Sequence, residues 1–247
     1  MKIAIISDIH GNMEALEAVM KDIELEECEK IFALGDYAMA GPEPDVAINW
    51  FMQKEKDDKF TFIQGNTDLM LADYSEKIYQ SVKDKAPIMA EALRNDFWLV
   101  NPIQRKFLRN LPTQKELEID GVKMLLVHGS PRKNNEDILP DLTLEQVEEI
   151  IADTDADVIL CGHTHIPCGF QTSKKQTVVN VGSVGRPFTP EPKACYLKVT
   201  ITDGKCIFEH KFISYNKETA SLKLRKRNFV GANKLANTLL DPKLRHF

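Results

Sequence analysis

Long apolar runs are what this chain of 247 residues most plainly lacks. No stretch reaches the roughly 18 consecutive apolar residues of a bilayer span, so a helical membrane protein is excluded. The start carries a single lysine, the strand-like run Ile3 to Ser7 and then Asp8, which lacks the h-region and cleavage site of a secretory signal. Cysteine is sparse, five residues without a CxxC pair. That fits reduced thiols and a cytoplasmic location rather than a disulfide framework. Cys161 and Cys168 bracket His163 and His165 and offer a zinc-cluster alternative, but Cys161 ends an apolar run and is expected to pack. Positive charge is also short: 32 Lys and Arg against 37 Asp and Glu give a net charge of −5. This excludes a general attraction to nucleic acid or anionic lipid, because such binding needs Lys and Arg to neutralise phosphates. No internal repeat or low-complexity segment stands out. Histidine is scarce, six in all, and its placement carries the information.

What is present suits one α/β body. A hydrophobic content of 43% and a charged content of 28% suffice to bury a full core. Short β-branched runs at 2–7, 30–34, 60–63, 122–127 and 157–161 read as buried strands, and 12–26, 45–55 and 143–153 show helical spacing. Thr143 and Gln146 form a capping box for the last of these. Strand-like segments at 177–181, 194–201 and 205–213 are expected to finish a second sheet. From Leu69 to Leu111 the pattern turns mostly helical, interrupted by Pro87 and Pro102. This segment reads as an insertion overhanging a site, or else as ordinary outer helices. The expected division is a main domain over 1–216 and a basic tail over 217–247. Leu224, Phe229, Leu235 and Leu239 suggest that the tail packs on the body or on a second subunit of a homo-oligomer, rather than on nucleic acid.

Five segments place metal-binding side chains just after predicted strands: Asp8 and His10, Asp36, Asn66, His128, and His163 with His165. In an open α/β sheet ligands bind beyond the carboxyl ends of strands, so these loops should converge on one edge. Asp8 and His10, like His163 and His165, are two apart, and extended backbone would project each pair to one side. Glycines 11, 35, 65, 129 and 162 would let the turns approach closely. Seven candidate ligands suit two metals. Carboxylate, imidazole and amide oxygen together favour Mn²⁺, with Fe²⁺/Fe³⁺, Zn²⁺, Ni²⁺ or Co²⁺ as alternatives, over Mg²⁺ or Ca²⁺. Two such ions can clamp a phosphoryl group and activate water, so phosphoester hydrolysis follows.

The ordered series Asp8-Ile-His10, Gly35-Asp36, Gly65-Asn66, His128 and Gly162-His163-Thr164-His165 resembles the five-block signature of the calcineurin-like metallophosphoesterase superfamily. The resemblance covers residues 2 to about 213, and its blocks are jointly specific. It implies a four-layer α/β/β/α sandwich of two mixed sheets around a dinuclear centre. One metal would take Asp8, His10 and His165, the other Asn66, His128 and His163, and Asp36 would bridge. Catalysis would then run through Asp36, Asn66 and His128 by way of a metal-activated water. The flanks Asp8 to Asn12, Gly41-Pro42, His128 to Arg132 and Asn180 to Gly185 are similar to small prokaryotic phosphodiesterases and diadenosine-tetraphosphate hydrolases. On that basis Asn12 and Arg132 are expected to contact substrate phosphate, whereas Arg186 reads as a surface salt bridge.

The third block departs from the pattern. Many members have a histidine after the Asn that protonates the leaving group; here the triplet is Asn66-Thr67-Asp68. Thr67 has no pKa near neutrality and cannot be a general acid. The expectation is therefore a small phosphorylated, nucleotide-like substrate cleaved at a phosphodiester or phosphoanhydride bond, with Asp68 capping a helix near Leu69. In the purple tyrosinate-iron branch a Tyr lies three residues after the second-block Asp; here that position is Met39, and Tyr37 is expected to point away. Two other readings are a non-catalytic metal-binding scaffold for protein contacts, and a nuclease, which would need a basic groove beside the metals.

Overall fold

Side chains alternate across each strand, and here the alternation divides the apolar residues between the faces of two sheets. The structure, a computed structural model, describes residues 1–242. The end of the basic tail, 243–247, lies outside the described residues. The first sheet runs β10-β9-β1-β2-β3. In it β1 (Lys2–Ile6), β2 (Lys30–Ala33) and β3 (Phe60–Phe62) are parallel, while β9 (Ala194–Thr202) and β10 (Lys205–Ile213) join antiparallel. The second runs β4-β5-β6-β8-β7. Its centre, β5 (Val122–Val127), β6 (Val158–Cys161) and β8 (Thr177–Asn180), is parallel, and β4 (Gln114–Ile119) and β7 (Cys168–Gln171) close the edges antiparallel.

Ile3, Ile5, Phe32 and Leu34 meet Met124, Leu126, Val158 and Leu160 between the sheets. The intervening Ala4, Ile6, Ile31 and Ala33 face outward, under helices. Each of the larger side chains, Val, Leu, Ile, Met or Phe, contributes about 1.5–3 kcal/mol when taken from water, so this double-sided burial is the main stabilising term. The layer over the first sheet holds α1 (Met13–Leu25), α2 (Pro44–Gln53), α3 (Asn66–Ala72), α4 (Glu76–Lys83), α5 (Pro87–Leu99), α6 (Pro102–Asn110), α8 (Lys217–Lys226) and α9 (Ala232–Leu240), all contributing to one cluster. The second sheet is covered by α7 (Leu144–Ile150), whose Val147 and Ile150 pack on Leu125, Val127 and Ile159. The Thr143 capping box is present, its hydroxyl accepting from Gln146 N at 3.3 Å and Gln146 Oε1 from Thr143 N at 2.9 Å. The fold is thus the expected α/β/β/α sandwich.

Three expectations change. Segments 194–201 and 205–213 do not finish the second sheet: β9 pairs with β1 and extends the first. Leu197, Val199 and Ile201 face the second sheet while Ala194 and Tyr196 face the helices, so β9 is apolar on both sides and takes a covered place beside β1. Second, β4 and β7 carry no clear apolar signal because they are edge strands; Gln114–Ile119 is mostly exposed. Third, Pro87 and Pro102 do not interrupt helices but stand in the first turns of α5 and α6, where a missing N–H costs nothing. These helices form part of the outer layer, and α5 also reaches the margin of the ligand loops through Met89 and Asp96.

Candidate metal centre

Since β1, β2 and β3 run parallel, as do β5 and β6, the loops after them emerge at one edge of the sandwich. Backbone bonds then join the loops. Asp8 N donates to Gly35 O at 3.0 Å and His10 N to Asp36 O at 2.9 Å; Gly162 N donates to His128 O at 2.8 Å and Gly185 N to Asp8 O at 2.9 Å. Two glycines leave room for side chains of the neighbouring loops: a Cβ on Gly65 would meet Asp36 Oδ1 at 2.1 Å, and one on Gly162 would meet Ser7 Oγ at 2.1 Å. The ligand pairs do not project from extended backbone as expected. Asp8 (φ 56°), His10 (48°), Asp36 (56°), His163 (67°) and His165 (61°) all adopt the left-handed conformation, which costs non-glycine residues about 1–3 kcal/mol each. Tight αL turns, rather than pleat alternation, aim these side chains.

Three imidazoles are fixed by the ring nitrogen facing away from the site. His10 Nδ1 donates to Met39 O at 2.6 Å, His128 Nδ1 to Leu34 O at 2.7 Å and His165 Nδ1 to Arg186 O at 2.7 Å. A carbonyl can only accept, so each Nδ1 carries the proton and each Nε2 turns inward. His10 Nε2 and His165 Nε2 then stand 3.2 Å apart, lone pair towards lone pair. Asp8 Oδ1 lies 3.2 Å from His165 Nε2, yet it is buried and lacks a hydrogen bond of acceptable geometry. Such a converging set of acceptors fits a divalent cation, which would supply the missing positive charge. Two overlapping groups have this character: Asp8, His10 and His165; and Asp8, Asp36 and His128.

The charges support the same reading. Burial alone would raise Asp8, but His165 and His128 outweigh it and bring the carboxyl down to about 2. Burial likewise opposes ionisation of Asp36, and His128 overcomes it, holding the carboxyl well below the usual range. Burial, with the neighbouring His165 opposing a second proton in the pair, pushes His10 down to about 3. For His128 burial acts downward, but Asp36, Asp8 and the bond to Leu34 O raise it to about 10. Two buried carboxylates thus draw a compensating positive charge into the site.

The remaining candidates divide. Asn66 Oδ1 lies 3.0 Å from His128 Nε2, inside the site. His163 donates its backbone N–H to Asp8 Oδ2 at 3.0 Å, but its Nε2 is engaged 3.3 Å from Asp137 Oδ1. Asn12 spends both ends of its amide on the fold: Oδ1 caps α1 through Ala15 N and Nδ2 donates to Gly185 O at 2.9 Å. Arg132 forks onto Glu136, with Nη2 at 2.7 Å and Nε at 3.1 Å. Arg186 is instead the buried arginine, 6% exposed, and its charge acts on Asp8, Asp36 and His10. The glycine and serine spacing around it, Gly182-Ser-Val-Gly185, was the signal for a loop folded into the site, because a Cβ on Gly185 would overlap Ile9 O at 1.7 Å.

Asp68 does more than cap α3. Its carboxylate accepts from Gly65 N and Asp36 N, both at 2.8 Å, and from Tyr37 N at 3.0 Å, so it pins the Asp36 loop to the third block. Burial and the neighbouring Asp36 raise it to about 7. Thr67 N donates to Asp36 Oδ1 at 2.9 Å, while its buried hydroxyl has no hydrogen-bond partner. Tyr37 points into the core, its hydroxyl on Ile63 O at 2.8 Å. Cys161 is packed, its Sγ on Val179 O at 3.6 Å. All five cysteines are free, and among the described residues no helix is long and apolar enough to cross a membrane.

Comparison with known proteins agrees with this geometry. Residues 1–204 match the calcineurin-like phosphoesterase superfamily domain. The chain is 30% identical over 227 residues to the uncharacterized protein MJ0912 of Methanocaldococcus jannaschii, covering 85% of this chain and 83% of that protein. Among solved structures, the hypothetical protein PH1004 of Pyrococcus horikoshii superposes with a TM-score of 0.85 at 23% identity, covering 97% of this chain and 98% of the other. A metallophosphoesterase from Sphaerobacter thermophilus gives 0.76 at 22% identity, with the same coverage of 97% and 98%.

Proposed function

This chain belongs to the calcineurin-like phosphoesterase superfamily, and from that premise we propose that it hydrolyses phosphodiester or phosphoanhydride bonds of a small, nucleotide-like substrate at a dinuclear centre. The observation that carries the proposal is the buried convergence of Asp8 Oδ1 and the inward Nε2 atoms of His10, His128 and His165. Asp8, His10 and His165 would hold one ion and Asn66, His128 and His163 the other, with Asp36 between them and Mn²⁺ the metal that best suits the mixture. Bound ions supply a water nucleophile at neutral pH and neutralise charge developing on the phosphoryl oxygens.

The chain's own residues do the rest. Asp68 and the αL turns hold Asp36 in place before substrate arrives. Arg186 takes the phosphate-orienting role expected of Asn12 and Arg132, because its guanidinium is the buried cation beside the carboxylates while those two side chains are engaged elsewhere. Thr67 provides no proton, which supports leaving groups that depart as stable anions over alkyl alcohols. The basic tail does not argue for nucleic acid, since Lys223 pairs with Glu14 and Glu43, and Arg227 with Asp96. Free thiols support a cytoplasmic setting.

Purified protein reconstituted with Mn²⁺ should hydrolyse bis(4-nitrophenyl) phosphate, and Asp36→Ala should lose at least about 10²-fold in kcat, on the scale of removing one electrostatic element of a site. Undiminished turnover in that variant would refute the assignment of this site.

A further inference from the structure

The first sheet ends on an uncovered edge. β10 is its outer strand, and along its outer side no backbone group has a hydrogen-bond partner among the described residues. Such an edge is a template for another strand, and proteins usually blunt it by shortness, charge, proline or a bulge. The edge strands β3 and β7 are short, three and four residues, and β4 exposes Lys115, Glu116 and Glu118. By contrast β10 has nine residues, no proline and an unbroken one-to-one register with β9. The turn before it fixes which of its amides are free. Asp203 (φ 51°) and Gly204 (71°) make a two-residue hairpin turn, so Thr202 and Lys205 are the closing hydrogen-bonded pair. Alternation from that pair leaves the N–H and C=O of Cys206, Phe208, His210 and Phe212 pointing outward. Ile207 and Phe212 are 68% and 47% exposed on this strand.

We propose that β10 pairs with β10 of a second copy of this chain, antiparallel across a twofold axis at His210, which joins the two five-stranded sheets into one continuous sheet. The strand is complementary to itself in that register. Side chains alternate, so Ile207, Glu209, Lys211 and Ile213 share the face towards α1, where Glu26 holds Lys211 at 2.6 Å and Lys198 holds Glu209 at 2.8 Å. Pairing about His210 sets each Glu209 against Lys211 of the other copy and each Ile207 against Ile213, and on the opposite face Phe208 meets Phe212. Other registers lose this match. Centring on Glu209 or on Lys211 opposes like charges, and centring on Phe208 sets Ile207 against Glu209. The His210 ring is turned into the sandwich, its Nε2 donating to Asn180 O at 2.8 Å.

Analytical ultracentrifugation of the full chain should show a monomer–dimer equilibrium in the micromolar range, as suits a small interface. Glu209→Lys and Lys211→Glu, each alone, should weaken dimerisation at least about tenfold by opposing like charges across the axis. Mixed in equal amounts, these two variants should recover it as a heterodimer, because every cross-strand pair is then again one acid and one base. Ile207→Lys leaves the Glu26 cluster intact and changes a side chain exposed in the monomer, so it should weaken the dimer without loss of fold. Circular dichroism on the same samples reports the fold of each variant. A chain that stays monomeric up to about 100 µM would overturn the proposal and leave the edge to solvent or to an extended segment of another protein. So would a dimer indifferent to all these substitutions, or folded charge variants that fail to recover on mixing.

Discussion

Arg132 and Arg186 show what a sequence can and cannot say about one side chain. Both follow glycine-containing blocks, and Arg132 follows the more familiar one, yet Arg132 is held in an ion pair by Glu136 four residues later while Arg186 is buried, its charge acting on Asp8 and Asp36. Nothing local distinguishes them, because the choice depends on whether a loop folds inward. The place of the candidate ligands after strands was legible, but the αL geometry that aims five of them was not. Arg186→Ala should lower kcat/KM for a diester about 10- to 100-fold, the scale of a charge-assisted bond, whereas Arg132→Ala should change it less than about twofold. Steady-state kinetics on both variants checks the contrast. Thr67→His should accelerate alkyl esters far more than aryl esters, by up to about 10²-fold, if the missing proton donor sets leaving-group preference. Equal acceleration of both classes would show that Thr67 plays no such part.

At the scale of elements, central strands were legible because they are apolar and β-branched, whereas edge strands β4 and β7 were not, since half or more of their residues face solvent. Sheet membership of β9 was also hidden, as partner choice over nearly two hundred residues leaves no local trace. Helix α8 packs on α1 and α9 on α8, and the turn after α8 ties the tail to the ligand loops: Arg227 donates to Gly41 O at 2.7 Å and pairs with the buried Asp96, which accepts from Ala40 N at 2.8 Å, next to the Met39 carbonyl that orients His10. Arg227→Met leaves a buried carboxylate unpaired and should cost about 3–5 kcal/mol, with the double variant Asp96→Asn/Arg227→Met recovering part of it. Urea unfolding measures this, and metal analysis of the same samples should show reduced occupancy. Glu26, at the end of α1, is bound by Lys198 on β9 and Lys211 on β10, which lower its pKa to about 2. A depressed carboxyl stabilises the fold above its unfolded value, and that contribution is lost as pH falls through the folded one. Glu26→Gln should therefore be less stable by about 1 kcal/mol at pH 7, converging on the parent as pH falls from 4.5 towards 2.

The molecule as a whole uses two sheets to bring five loops to one edge, so the candidate metal ligands occupy one rim while the stabilising core lies between the sheets and under the helices. The order of the five blocks was readable from the chain alone, and the family match over residues 1–204 agrees with it. The proposed reaction, hydrolysis by two metal ions at this rim, favours phosphoesters whose leaving groups need no proton. It is tested most directly by measuring kcat/KM across a series of phosphodiesters of graded leaving-group pKa, with metal content determined on the same protein. The account predicts two ions per chain and rates that fall steeply as the leaving group becomes more basic. A protein that binds two ions but turns over none of the series, or whose rate is indifferent to the leaving group while chemistry limits turnover, would contradict it.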